Sequence, residues 1–255
     1  MLGPLAAALL AAAATKAQGT PGEAPFVVVL DPGHGGDQDG ALSPAGVKEK
    51  DLTLQIAQRV GAALHRRGVR VVLTRSGDLS VPLANRPAIA NAIRADLFLS
   101  IHLNSMPTAE ARQRTTGIET YFLSADATDA HATAVAAREN ADRIAGEEVV
   151  DPSDPVAGIL SDLADADALA GSSRLAYSLH ERLVAALGAE DRGVKQAPFY
   201  VLAGARMPAV LLELGFISHE ADAARLVTRP YQERIASAVA EAVQSYRQET
   251  RRVRR

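Results

Sequence analysis

The chain has 255 residues, 47% of them hydrophobic and 22% charged, which excludes wholesale disorder and suits one large folded domain. A net charge of −3 at neutral pH gives no general attraction to nucleic acid, and the lack of any cysteine excludes disulfides and thiolate metal ligands.

Leu5 to Ala14 is an unbroken run of Leu and Ala, followed by Thr15-Lys16-Ala17-Gln18 and Pro21-Gly22. The run is too short to cross a membrane, and its small-residue end resembles a secretory signal. Residues 1–24 are therefore predicted to be a signal peptide with a short linker, and the protein to be exported to the periplasm; a plain Ala-rich helix is the alternative.

Phe26 to Leu30 reads as a strand buried on both faces, and the glycines after Pro32 force a turn. From Asp51 the period changes: Leu52, Ile56, Val60 and Leu64 form one apolar helical face that stops at Gly68. Val69 to Thr74 reads as a strand. Pro82 to Arg94 reads as a helix with Leu83, Ile89, Ala90 and Ile93 inward. Asp96 to His102 and Ile118 to Leu123 read as further strands. Residues 124–171 are rich in Ala and acids and broken by Pro152 and Pro155, a connection whose length is uncommon in a compact domain unless it is functional or mobile. A helix over Ser172 to Leu187, capped by Ser172, a strand over Ala209 to Phe216 and a helix over Tyr231 to Tyr246 complete the domain, predicted at 25–247, with a basic tail at 248–255. Strands alternating with helices predict a three-layer α/β fold.

Open α/β sheets present ligands at the carboxyl ends of their strands. His34 follows the first strand, His102 ends the third, and Glu213 lies late in the last, so all three are expected at one edge of one sheet. Two histidines and a carboxylate can hold a divalent metal, and a second carboxylate can then move protons for hydrolysis. Each residue also has a plainer reading. His34 suits a turn, His102 suits a satisfied core histidine, and Glu49 suits a solvated charge run opening a helix. Glu213, flanked by Leu211, Leu212 and Leu214, suits a buried salt bridge with Arg75 or Arg86. His65, His131, His180 and His219 read as background.

Six segments in order carry a resemblance: Asp31-Pro-Gly-His-Gly-Gly36, Lys48-Glu-Lys-Asp51, Ser100-Ile-His-Leu-Asn-Ser105, Gly117-Ile-Glu-Thr-Tyr-Phe-Leu-Ser124, Arg192-Gly-Val-Lys-Gln-Ala-Pro-Phe-Tyr-Val-Leu202 and Met207-Pro-Ala-Val-Leu-Leu-Glu-Leu-Gly-Phe216. Together they resemble the zinc-dependent N-acetylmuramoyl-L-alanine amidases of the bacterial cell wall, amidase type 3, over about Phe26 to Tyr246. The resemblance implies a mixed, mostly parallel sheet of about six strands flanked by helices. It implies one zinc ion held by His34, Glu49 and His102, and Glu213 as the catalytic residue. The implied reaction is hydrolysis of the amide between N-acetylmuramic acid and L-alanine in peptidoglycan, in wall remodelling and daughter-cell separation. Asp31 and Asn104 would orient the ligating imidazoles or stabilise turns. Residues 124–171, through Arg138-Glu-Asn-Ala-Asp142 and Ile159-Leu-Ser-Asp-Leu163, resemble the regulatory insert of the cell-division branch. There a helix covers the site until an activator protein displaces it, with Glu147 or Glu148 here expected at the zinc. No stable membrane span and no nucleic-acid partner are expected. A zinc peptidase or deacylase on the same scaffold is the rival enzyme reading. Against a non-catalytic wall binder stand all four intact site residues.

Overall fold

The computed structural model describes residues 25–142 and 166–253. The predicted signal segment, Glu147 and Glu148 lie outside these residues. Six strands form one sheet: β1 (Val27–Pro32), β2 (Arg70–Leu73), β3 (Leu97–Asn104), β4 (Ile118–Leu123), β5 (Asp191–Ala197) and β6 (Ala209–Phe216), in the order β2-β1-β3-β6-β4-β5. All neighbours run parallel except β4 and β6, which are antiparallel. The described helices are α1 (Glu49–His65), α2 (Asn85–Ala92), α3 (Ala109–Arg114), α4 (Ala130–Asn140), α5 (Ala166–Leu187), α6 (Glu220–Leu226) and α7 (Arg229–Val253).

Strand alternation divides the core into two layers. On one face Val28, Leu30, Leu99 and Ile101 pack under α1, α5 and α7. The apolar stripe Leu52, Ile56, Val60 and Leu64 is buried there with Leu175, Leu179, Ile235 and Val239. Each such aliphatic side chain contributes roughly 1.5–3 kcal/mol on burial. On the other face Val29, Phe98, Tyr121 and Leu211 pack beneath α4, through Ala132, Val135 and Ala136, and beneath Phe199 to Met207. His102, Glu213 and Glu119 continue this second face. His102 is in register with Glu213 across β3 and β6, and Glu213 with Glu119 across β6 and β4.

The three-layer prediction holds, with corrections to its elements. Ser172 is not a cap: α5 begins six residues earlier, and Ser172 Oγ donates back to Ala168 O at 2.8 Å while accepting from Ala209 N at 2.9 Å. The tail predicted at 248–255 is helical as far as Val253, because α7 continues with basic residues in its last turn, where they favour the helix dipole. Strand β5 went unread because its sequence, Asp-Arg-Gly-Val-Lys-Gln-Ala, is a half-buried edge without an apolar run. No helix among the described residues is long and apolar enough to cross a membrane.

Candidate metal centre

His34 sits where β1 turns toward α1. Gly33 N donates to Ile101 O at 2.9 Å, tying this turn to β3, and His34 itself adopts φ 60°, a left-handed conformation unusual for a residue with a side chain. A side chain at position 33 is excluded by contact: a Cβ there would lie 2.4 Å from Cε1 of His102. Glu49 opens α1. Its Oε1 accepts from Leu103 N at 2.8 Å and its Oε2 from Ala41 N at 2.9 Å, so two backbone amides fix the carboxylate. The His34 and His102 rings stand edge to face, 4.9 Å between centroids.

A fourth carboxylate joins them. Glu139, from α4, places Oε2 2.9 Å from His102 Nδ1 and 3.5 Å from His34 Nε2, while Glu49 Oε1 lies 3.0 Å from His34 Nε2 and 3.4 Å from His102 Nδ1. The four side chains offer one ligand atom each within 4.8 Å of one another, and none is more than 5% exposed. Bonds of about 2.0–2.1 Å to a tetrahedral ion would set ligand atoms roughly 3.3–3.4 Å apart, which these four separations bracket. Moreover, His34 Nε2, His102 Nδ1 and Glu139 Oε2 make no directed hydrogen bond despite burial. Close atoms that do not point at one another suit lone pairs aimed at a shared cation. The donor set therefore fits a metal ion.

The charges support the same reading. Burial opposes a proton on His34, but Glu49, Asp142 and Glu139 outweigh it and hold this imidazole well above its ordinary range. His102 is likewise pushed up to about 9, burial being overcome mainly by Glu139. Burial acts against ionised Glu49, yet the two imidazoles keep it well below the usual carboxylate range. Glu139 is held at about 2, burial being overcome by His102 and then Arg138. The cluster thus carries a strong local negative potential that protons satisfy in the absence of a cation.

Glu213 is fully buried on β6, one strand spacing from His102, and neither carboxylate oxygen has a hydrogen-bond partner. Burial, then the charge of Glu139, raise it well above the carboxylate range. Its nearest cation is neither Arg75 nor Arg86 but Arg138, whose Nη2 lies 3.5 Å from Oε1. Arg138 also donates through Nε to Glu139 Oε1 at 2.9 Å and through Nη2 to Asn104 Oδ1 at 3.1 Å. Asn104 in turn donates to Glu119 Oε2 at 2.6 Å. Neither Asn104 nor Asp31 bonds a candidate ligand imidazole. Asp31 is taken up by Thr74, Arg86 and Ser100, and it is Asp142 Oδ2 that lies 3.1 Å from His34 Nδ1.

Two histidines read as background are structured. His131 Nε2 lies 3.0 Å from Glu119 Oε2, and buried His180 joins Thr120 and Asp191. A cavity of about 910 Å³ opens beside the cluster, lined by His34, Glu49, Met106, Arg112, His131 and Arg138 among others. Arg138 and Glu139 were singled out only as part of the insert resemblance; the inhibitory carboxylate was expected at Glu147 or Glu148, and no pattern in the sequence turns Glu139 toward the imidazoles.

The sequence profile of the N-acetylmuramoyl-L-alanine amidase family matches residues 28–245. The amidase AmiA of Escherichia coli K12 is 37% identical over 222 residues, covering 86% of this chain and 75% of the relative. The solved structure of the amidase AmiC2 of Nostoc punctiforme superposes with a TM-score of 0.67 at 30% identity, over 89% of this chain and 99% of that one. The amidase CwlD of Clostridioides difficile, solved in complex with the GerS lipoprotein, superposes with a TM-score of 0.64 at 25% identity, over 87% and 98%.

Proposed function

The chain belongs to the N-acetylmuramoyl-L-alanine amidases, which cut the amide between N-acetylmuramic acid and L-alanine in peptidoglycan, and from that premise we propose how its site does so. His34, Glu49 and His102 hold one zinc ion, and Glu213 is the catalytic acid and base. The observation that carries this reading is the set of four ligand-atom separations between 2.9 and 3.5 Å among buried groups, with both imidazole nitrogens making no directed hydrogen bond. Zinc rather than a harder cation follows from the two imidazoles.

When bound, zinc supplies Lewis acidity toward the scissile carbonyl and eases deprotonation of water. Glu213 takes a proton from the attacking water and returns one to the nitrogen of L-alanine as the C–N bond breaks. A carboxyl held high by burial is suited to both transfers. This state is closed: Glu139 takes the position a substrate oxygen needs, and burial, reinforced by the Glu139 charge, holds the Glu213 carboxyl well above the carboxylate range. Insert residues thus act as an internal inhibitor, and an activator protein that draws α4 aside opens the site. The complex of CwlD with GerS is a precedent for an amidase of this fold with a protein partner. Action on the wall implies export, which the Leu/Ala run at the start of the chain also supports, and daughter-cell separation is the corresponding role.

The test is digestion of purified peptidoglycan by the zinc-loaded protein, with product analysis. New amino groups on L-alanine, abolished by chelation and restored by zinc, are expected. Cleavage inside the stem peptide would instead establish the rival peptidase, and equal activity after complete metal removal would overturn the metal reading.

A further inference from the structure

Arg75 and Arg86 are 1% and 2% exposed, yet neither touches Glu213 or supplies a ligand. Both reach the turn that carries His34. Arg75 Nε and Arg86 Nη1 each donate to Pro32 O at 3.0 Å; Arg75 Nη2 donates to Gly33 O at 2.8 Å, and Arg86 Nη2 to His34 O at 3.0 Å. Three consecutive carbonyls are therefore gripped by two guanidinium forks. Arg75 Nη2 also donates to Lys50 O at 2.8 Å and Thr53 Oγ1 at 3.1 Å, in the first turn of the helix that begins with Glu49. Thr53 Oγ1 lies 3.0 Å from Gly33 O and closes the loop of contacts.

The physical need for such a grip is visible. His34 holds a left-handed backbone, which is strained for a residue with a Cβ, so the turn relaxes unless its carbonyls are fixed. The grip itself has a cost, because two guanidiniums are buried side by side and only Arg86 is bonded to a carboxylate, Asp31 at 2.9 Å from Nη1. Burial and the neighbouring Arg86 push Arg75 down to about 10. Such an arrangement is a poor way to gain stability alone.

We propose that Arg75 and Arg86 are positioning residues: a carbonyl clamp that presets the His34 turn against the start of α1, and so sets metal affinity. The inference rests on His34, Glu49 and His102 being the metal ligands. Lysine keeps the charge but cannot span two carbonyls as a planar fork does.

The experiment uses chelator-stripped wild type, Arg75→Lys and Arg86→Lys, titrated with zinc against a chromophoric chelator, alongside thermal unfolding of the metal-free proteins. A 10–100-fold weaker zinc dissociation constant is expected in each variant, the loss typical when a residue supporting a ligand is removed. Metal-free unfolding midpoints should fall, because buried carbonyls lose donors, so zinc affinity is compared at a temperature where every variant is folded. Folded variants that bind zinc within twofold of wild type would overturn the clamp. Should either lysine variant fail to fold, Thr53→Val, which removes one hydroxyl from the same network, should still weaken zinc roughly fivefold, and unchanged affinity there overturns it equally. Wild type that binds no zinc would instead reject the ligand assignment beneath the proposal.

Discussion

Glu139 Oε2 stands 2.9 Å from Nδ1 of His102, closer to that imidazole than Glu49 is. A helix after β4 thus completes a cluster whose other members come from β1, α1 and β3. Replacing Glu139 with Ala should raise basal hydrolysis of dye-labelled sacculi about tenfold or more, the change expected when a blocked state loses roughly 1.4 kcal/mol. Unchanged or lower activity in a zinc-loaded variant would remove Glu139 from the inhibitory role.

Glu213→Gln should retain one zinc per chain and lose about 10²–10⁴-fold in kcat, the usual contribution of a positioned acid and base. Metal analysis beside a rate measurement checks both halves. A variant with near-normal kcat would show that the proton transfers belong to another group.

Protons and zinc compete for the same nitrogens. With His102 at about 9 and His34 well above its ordinary value, both imidazoles are protonated at pH 7 before the metal enters. Zinc affinity should therefore rise with pH toward about 9, approaching 100-fold per unit where two protons are displaced. The metal-free protein should show the opposite trend. A histidine raised on folding contributes stability that is complete below about 6.5 and lost as pH rises through about 9. Chelator competition and unfolding of the stripped protein between pH 6 and 9 test the two signs.

Glu119 is fully buried and receives Asn104, Tyr121, His131, Arg192 and Lys195. Burial opposes its charge, but His131 and Lys195 lead the partners that hold it at about 2. A carboxylate depressed on folding contributes stability above its unfolded value of about 4.5 and loses it as pH falls through about 2. The contribution is on the order of 3 kcal/mol, so urea unfolding should weaken steeply across that window, and Glu119→Gln should flatten the profile.

Gly33→Ala tests how closely the turn fits the site. The added methyl would meet the His102 ring at 2.4–2.7 Å. Overpacking should lower stability by about 1–3 kcal/mol, and the displaced imidazole should weaken zinc binding at least tenfold. Calorimetric titration that finds normal affinity would show that the ring has room to move.

Much of this was legible in the sequence. His34, His102 and Glu213 each stand at or near the end of an apolar strand, and a sheet with parallel strands gathers such ends at one edge. Glu49 was not readable from its charged surroundings; only partnership with His34 and His102, and then the family resemblance, raised it. Arg138 and Glu139 stood out only through the insert resemblance, and their contact with the cluster was unread because nothing in Ala-Ala-Arg-Glu-Asn distinguishes an inward charge from a solvated one. Arg75 and Arg86 entered only as ion-pair partners in the alternative reading of Glu213. Their true acceptors are backbone carbonyls, which every residue has and no sequence pattern advertises. Strand β5 and the reversal of β4 depend on pairing partners remote in the chain.

Arg138 and Glu139 are consecutive in the last turn of α4 and bonded to each other, Glu139 reaching His102 and Arg138 reaching Glu213. A displacement that removes one removes the other, so the entrance clears and Glu213 loses its dominant anionic neighbour in a single stroke. Partial stimulation of the population would then be a mixture of fully shut and fully working molecules rather than a uniform half-speed form, and single-molecule turnover records would divide into two classes.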